Sequence, residues 1–180
     1  MAQAALKLND RIPEFRDLRG VDGKAHSTAE YSGKNILVVA FSCNHCPYVR
    51  AYEDRIIALQ REYGPKGVQV IAINSNETKN YPEDSFDKMV LRAQERGFNF
   101  PYLRDEDQSV AEAFGATHTP QFFAFDGERR LRYSGRMDDN WEHPEAVKKT
   151  YLRDALDALL GGKEVPVPET YSIGCTIKWG

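Results

Sequence analysis

Asn35-Ile36-Leu37-Val38-Val39-Ala40-Phe41-Ser42-Cys43-Asn44-His45-Cys46-Pro47-Tyr48 is the stretch whose reading decides the fold. A run of apolar, mostly β-branched residues ends in two cysteines, and a helical pattern starts at once. From Val49, the apolar residues Val49, Tyr52, Ile56, Leu59 and Tyr63 recur at helical spacing. Gly64-Pro65-Lys66-Gly67 then breaks the helix. A buried strand therefore feeds a helix, and the cysteine pair sits over the helix N-terminus. Unpaired backbone N–H groups and the positive end of the helix dipole favour a thiolate there. A thiolate is the species that attacks disulfides, and Cys-X-X-Cys at a helix start is a known way to acidify a cysteine.

Composition bounds the rest. A length of 180 residues fits one domain, 1–180, since domains run to roughly 100–200 residues. A net charge of −3 with no basic stripe makes nucleic acid an unexpected partner. Three cysteines do not form a secreted disulfide framework. The opening Met1-Ala-Gln-Ala-Ala-Leu-Lys-Leu-Asn-Asp10 has no basic segment before an apolar core, so no signal peptide is expected. Apolar runs stay near strand length, short of the ~20 residues a membrane span needs, and no membrane partner is expected. A cytoplasmic location follows as the expectation. In a reducing compartment a close cysteine pair is catalytic or metal-binding rather than structural.

Around the central stretch, residues 8–34 are rich in turn formers and read as a small hairpin followed by a single turn at Ser27–Tyr31. His26 reads there as a surface strand residue. Strand 35–41, a helix from Cys46 to Tyr63 and strand 68–74 make a βαβ unit with parallel strands. The polar loop 75–84 follows at the carboxyl end of the second strand, where open α/β sheets place ligands. A helix with Phe86, Met89, Val90 and Ala93 on one face stops at Gly97; Phe100-Pro-Tyr-Leu103 is a short strand. A short helix over 108–114 comes next. Pro120 opens a strand that Asp126-Gly127 turns back into 131–134. A last helix is expected from Pro144 to Leu160, buried through Val147, Tyr151, Ala155 and Leu159, before a tail ending Gly174-Cys175-Thr-Ile-Lys-Trp179.

The Cys43-Asn-His-Cys46 junction within a βαβ unit, with Thr119-Pro120 opening a later hairpin, resembles the thioredoxin superfamily. The insertion from Ser75 to Gly115 and the opening Leu8-Asn-Asp-Arg-Ile-Pro-Glu-Phe-Arg-Asp-Leu18 are similar to its redoxin branch, which includes the peroxiredoxins. Ser-Cys-Asn-His-Cys-Pro-Tyr-Val and Gly-Cys-Thr-Ile-Lys-Trp resemble one group within that branch. The resemblance implies an α/β, thioredoxin-like fold: a mixed central sheet with helices on both faces, an N-terminal hairpin and a helix–strand insertion. Its strands would run 101–103, 68–74, 35–41, 121–125, 131–134. It also implies a cis bond before Pro120, which would pack against the cysteines and leave the Thr119 backbone free to pair with an extended substrate.

Two departures narrow the chemistry. Peroxiredoxins carry Pro-x-x-x-Thr-x-x-Cys; counting back from Cys43 those places hold Ile36 and Ala40, and from Cys46 they hold Val39 and Cys43. Thioredoxin carries a buried aspartate in the strand before its cysteines, where this chain has Leu37. Glu77, in the polar loop, is the substitute carboxylate to examine.

The expected function is that of a thiol–disulfide oxidoreductase needing no bound cofactor. Cys43, at the helix mouth, is expected as nucleophile and Cys46 as the resolving thiol. A disulfide-bearing protein, small disulfide or peroxide would be the substrate, and a thiol reductant would reset the pair. Two alternatives stand beside it: a thiol peroxidase on the same cysteines, and a non-enzymatic redox or metal-sensing module. A closed zinc site usually needs four Cys or His ligands, so no metal is expected, although Cys43, Cys46 and His45 would be its nucleus. His45 either stabilises the thiolate when protonated or shapes the turn. Cys175 is either a third redox thiol or a buried small hydrophobe. Asp138-Asp139 reads as a solvated turn.

Overall fold

The computed structural model describes residues 6–180. The reading of the chain start as lacking a leader rests partly on residues 1–5, which lie outside the described residues. In chain order the elements are β1 (Leu18–Gly20), β2 (Ala25–His26), β3 (Ile36–Ser42), α1 (Pro47–Tyr63), β4 (Val68–Asn74), α2 (Phe86–Arg96), β5 (Tyr102–Arg104), α3 (Ser109–Phe114), β6 (His118–Thr119), β7 (Gln121–Phe125), β8 (Leu131–Gly135), α4 (Tyr151–Leu160) and β9 (Cys175–Thr176). A seven-stranded sheet has the order β2-β1-β5-β4-β3-β7-β8. Strands β3, β4 and β5 are parallel, and every other pairing in it is antiparallel.

Every residue of β3 is buried, as a strand flanked on both edges and covered on both faces must be. Alternate side chains leave opposite faces of a strand. Ile36, Val38 and Ala40 thus enter a core with Tyr52, Ile56 and Leu59 of α1, Met89 of α2 and Leu152, Ala155 and Leu156 of α4. Leu37, Val39 and Phe41 enter a second core with Val110, Ala111 and Phe114 of α3 and with Ile12, Phe15 and Tyr31. Phe41, Phe114 and Phe123 meet edge to face, with centroids 5.2 to 5.8 Å apart. Leu37 therefore fills an apolar position where a thioredoxin-type carboxylate would have no place. The turn after α1 ends at Gly67, whose φ of +90° favours glycine, and a Cβ there would stand 2.5 Å from the Asn35 side-chain amide.

Three expectations need correction, and the tail adds an element beside them. The helix foreseen from Pro144 is a 3-10 turn over Pro144–Ala146, and α4 starts only at Tyr151. The intervening backbone is committed to the Asp139 loop. The Lys148 N–H donates to Asp139 Oδ1 at 3.0 Å, and the Asp139 N–H donates to the Lys149 carbonyl at 3.2 Å. His26 is buried, 8% exposed, rather than on the surface. It bonds Asp22, Glu30 and Tyr31 at 2.9 to 3.2 Å. Asp138 is buried rather than solvated; it accepts from Tyr52 Oη at 2.6 Å and pairs with Arg55 at 2.8 Å. Finally, the tail supplies a strand: β9 pairs antiparallel with β6 in a separate two-stranded sheet.

Candidate functional site

Cys43 follows the last residue of β3, and Cys46 is the N-cap of α1, with Pro47 opening the first turn. Three free thiols gather here, Cys43, Cys46 and Cys175. Cys43 and Cys46 are each 2% exposed, and Cys175 is half-buried. Thr119 touches both members of the pair. Its hydroxyl lies 3.6 Å from Cys43 Sγ, and its carbonyl oxygen lies 3.6 Å from Cys46 Sγ. The Thr119–Pro120 peptide is cis.

The Cys46 thiol donates to the Thr119 carbonyl, and its side chain makes no cap hydrogen bond to α1. The neighbouring Cys43 thiol, by hydrogen bonding and against burial, pulls the Cys46 pKa down to about 4. Cys43 is pushed far up by that same hydrogen bond, by burial and by the Asp84 carboxylate beside it. Burial, followed by the hydrogen bond to Cys46, pushes Cys175 up to about 11. The two thiols are coupled, so that charge on one holds the proton on the other. Cys43, expected at an exposed helix mouth, is as buried as Cys46.

The turn between the cysteines is held by Asp84, which is fully buried. It accepts from the Asn44 N–H at 2.8 Å, from Asn74 Nδ2 at 3.1 Å and from Asn76 Nδ2 at 3.0 Å. Tyr102 Oη donates to Asn44 Oδ1 at 2.8 Å, and Asn44 Nδ2 donates to the Glu83 carbonyl at 2.9 Å. The carboxylate at the thiols is therefore Asp84. Glu77 turns instead to the backbone N–H groups of Lys79 and Asn80, at 2.8 and 3.2 Å, and caps its own loop. His45 sits between two acids, with Nδ1 3.3 Å from Asp84 and Nε2 3.4 Å from Glu83. Cys43, His45 and Asp84 bring ligand atoms within 4.8 Å of one another. That set replaces the Cys43, Cys46 and His45 nucleus weighed from the sequence. It is one ligand short of a closed zinc site, and both Asp84 oxygens already accept amide hydrogens.

The Thr119 backbone is not free. Strand β9 pairs with it, in the register Thr119↔Cys175 and His118↔Thr176. Gly174 makes the approach possible: a Cβ there would stand 2.2 Å from the Thr119 carbonyl oxygen. Beyond β9, Ile177 is buried in the second core. The Lys178 carbonyl accepts from the Glu77 N–H and from Gln108 Nε2, both at 2.8 Å. Residue types alone indicated the cysteines, Thr119 and Pro120. Asp84, Asn74, Asn76 and Tyr102 went unnoticed. The only signal for the first three was their clustering at the carboxyl end of β4.

A family model described as Redoxin matches residues 7–151. A relative named thiol-disulfide oxidoreductase ResA, from Geobacillus thermodenitrificans (strain NG80-2), is 24% identical over 152 residues, covering 81% of each chain. Two crystal structures are similar over almost the whole length. A hypothetical protein from Sinorhizobium meliloti 1021 is 38% identical, with a TM-score of 0.92 and coverage of 98% of this chain and 97% of that one. An uncharacterized conserved protein from Geobacillus kaustophilus is 41% identical, with a TM-score of 0.91 and coverage of 97% and 93%. No helix among the described residues is long and apolar enough to cross a membrane.

Proposed function

The chain belongs to the redoxin family, and on that premise we propose that it is a thiol–disulfide oxidoreductase working through Cys43 and Cys46. The observation that carries the reading is the pair of thiols at the β3–α1 junction, Cys46 at the start of α1, with Thr119 3.6 Å from each sulfur. The name of the ResA relative points the same way.

We assign the attack to Cys46, the thiol of the pair whose pKa is lowered, in place of the Cys43 expected from the sequence. The Cys46 thiolate attacks one sulfur of a substrate disulfide, forms a mixed disulfide and expels the other sulfur as a thiolate, which takes a proton. Bonding to substrate consumes the charge on Cys46, and with it the largest influence holding the Cys43 proton. Cys43 then deprotonates and attacks Cys46 Sγ; the second substrate thiolate leaves and takes that proton. The protein ends with a Cys43–Cys46 disulfide, and the substrate has gained two electrons and two protons. A donor thiol runs the sequence backwards. The S–S bond stores the electrons, so no bound cofactor enters the scheme.

Asp84 acts here as a positioning residue. It fixes the Asn44 turn and holds the second proton on Cys43 until the charge on Cys46 is spent. Because β9 covers the Thr119 edge, a polypeptide substrate reaches the sulfurs by displacing β9, whereas a small disulfide has less to displace. Peroxide is the poorer acceptor. Its departing oxygen needs an aimed donor, each worth roughly a hundredfold or more in rate, and three residues before Cys46 the peroxiredoxin hydroxyl position holds the Cys43 thiol. An unpaired third cysteine suits a reducing compartment, so a cytoplasmic setting belongs to the proposal.

The test is turnover of insulin disulfides with dithiothreitol as donor, run beside hydrogen peroxide consumption. Loss of insulin reduction in both Cys43→Ser and Cys46→Ser supports the proposal. Full activity in either variant, or rapid Cys46-dependent peroxide consumption without disulfide reduction, overturns it.

A further inference from the structure

The scheme above leaves one thiol of the cluster unused. We infer that Cys175 is a third redox thiol, which takes over the disulfide from Cys43 by bonding to Cys46. The inference rests on the dithiol reaction and extends it to how the oxidised pair is handed to its reductant.

The placement of Cys175 is built. Strand β9 is in register with Thr119, the residue that touches both Cys43 and Cys46. Gly174 admits the close crossing, and Ile177 anchors the strand through its N–H to the Thr117 carbonyl at 2.9 Å. Further along, the Lys178 N–H donates to Asn76 Oδ1 and the Gly180 N–H to Gln108 Oε1, each at 2.9 Å. The tail is therefore fixed on both sides of the thiol. Cys175 packs directly against the buried cluster of Cys43, Cys46 and Val49. A strand that only closed the fold would need no sulfur at this position.

The exchange balances without an outside oxidant. In the oxidised form Cys43 and Cys46 share an S–S bond. Cys175 loses its proton to solvent, and its thiolate attacks Cys46 Sγ. A Cys46–Cys175 bond forms while the Cys43–Cys46 bond breaks, and the electron pair goes to Cys43 Sγ, which takes up a proton. One disulfide is present before and after. The driving features are local. Oxidation removes the Cys46 charge that raises the Cys175 thiol, leaving burial opposed by Lys178. The attacking sulfur is held in register with Thr119, whose carbonyl touches the Cys46 sulfur it attacks. The oxidised bond thereby moves from two sulfurs that are 2% exposed to one that ends at a half-buried residue, where a reductant can reach it.

Disulfide mapping tests this. Reduced protein is treated with one equivalent of diamide, quenched in acid, alkylated and digested without reduction. The wild type is expected to yield the Cys46–Cys175 peptide pair beside Cys43–Cys46. Cys43→Ser is expected to yield Cys46–Cys175 alone, and Cys175→Ser to yield Cys43–Cys46 alone. Adding Gly174→Ala to Cys43→Ser keeps both thiols but pushes β9 off Thr119, and should remove most of the cross-link. Wild type without a Cys46–Cys175 pair, or Cys43→Ser keeping two free thiols under oxidant that fully converts Cys175→Ser, overturns the inference. Cys43→Ala replaces Cys43→Ser if circular dichroism shows the serine variant unfolded, and the wild-type map stands without either. Failure of the underlying dithiol reading is visible separately, as Cys175→Ser that forms no Cys43–Cys46 bond.

Discussion

Replacing Cys43 with alanine removes the hydrogen bond that does most to keep charge on Cys46. A hydrogen bond to a charged group is worth roughly 1.5–3 kcal/mol. At about 1.4 kcal/mol per pKa unit, the Cys46 midpoint should rise by roughly one to two units. The other lowering neighbour, Cys175, persists in the variant, so the rise stops short of an ordinary thiol. The assay is the ultraviolet absorbance of the thiolate, followed as reduced protein is titrated upward from acid. Wild type should gain one thiolate per chain with a midpoint near about 4. Cys43→Ala should gain the same amplitude at the higher midpoint, and Cys46→Ala should show no such acid step. A wild-type midpoint near the ordinary 9.0 would refute the reasoning. So would a step that survives Cys46→Ala and disappears in Cys43→Ala, since that would place the charge on Cys43.

The same charge makes stability depend on pH. Because the folded pKa of Cys46 lies at about 4 and its ordinary value is 9.0, the reduced protein should gain stability as pH rises between them. It should lose that contribution as pH falls through the lower value; denaturant titrations should show this slope disappear in Cys46→Ala. Asp84→Ala strands buried amide donors of Asn44, Asn74 and Asn76, at roughly 1–3 kcal/mol for each donor left unpaired. It should lower the thermal midpoint and, by removing the carboxylate, lower the Cys43 pKa. Phe114→Ala empties the edge-to-face cluster between α3 and β3 and should cost roughly 3–5 kcal/mol, read as a lower urea midpoint with unchanged slope.

The central βαβ unit was legible because its two periods do not overlap: alternation is lost in the fully buried β3, and a 3.6-residue repeat begins directly after Pro47. The β7–β8 return was legible from Asp126-Gly127. The start of α4 was not, since Val147–Thr150 has acceptable helical residues, yet the Lys148 N–H and the Lys149 carbonyl are taken by Asp139. Strand β9 is two residues long and pairs with β6, far earlier in the chain, so no local pattern announces it. That one strand accounts for two features of the site. It occupies the Thr119 backbone, and it brings Cys175 to Cys46. Glu77 and Asp84 share a polar loop, and spacing alone could not tell which acid folds back under the cysteines; burial against Asn44 and Asn74 decides for Asp84.

The most direct test of the dithiol account is equilibrium with glutathione redox buffers, measured on Cys175→Ser so that the third thiol does not contribute. The fraction oxidised is read by acid quench, alkylation and mass spectrometry. The account predicts one two-electron transition, from two free thiols to an intramolecular Cys43–Cys46 disulfide. A glutathione adduct on a single cysteine as the only product, or two thiols that stay free across the whole range of buffers, would contradict it.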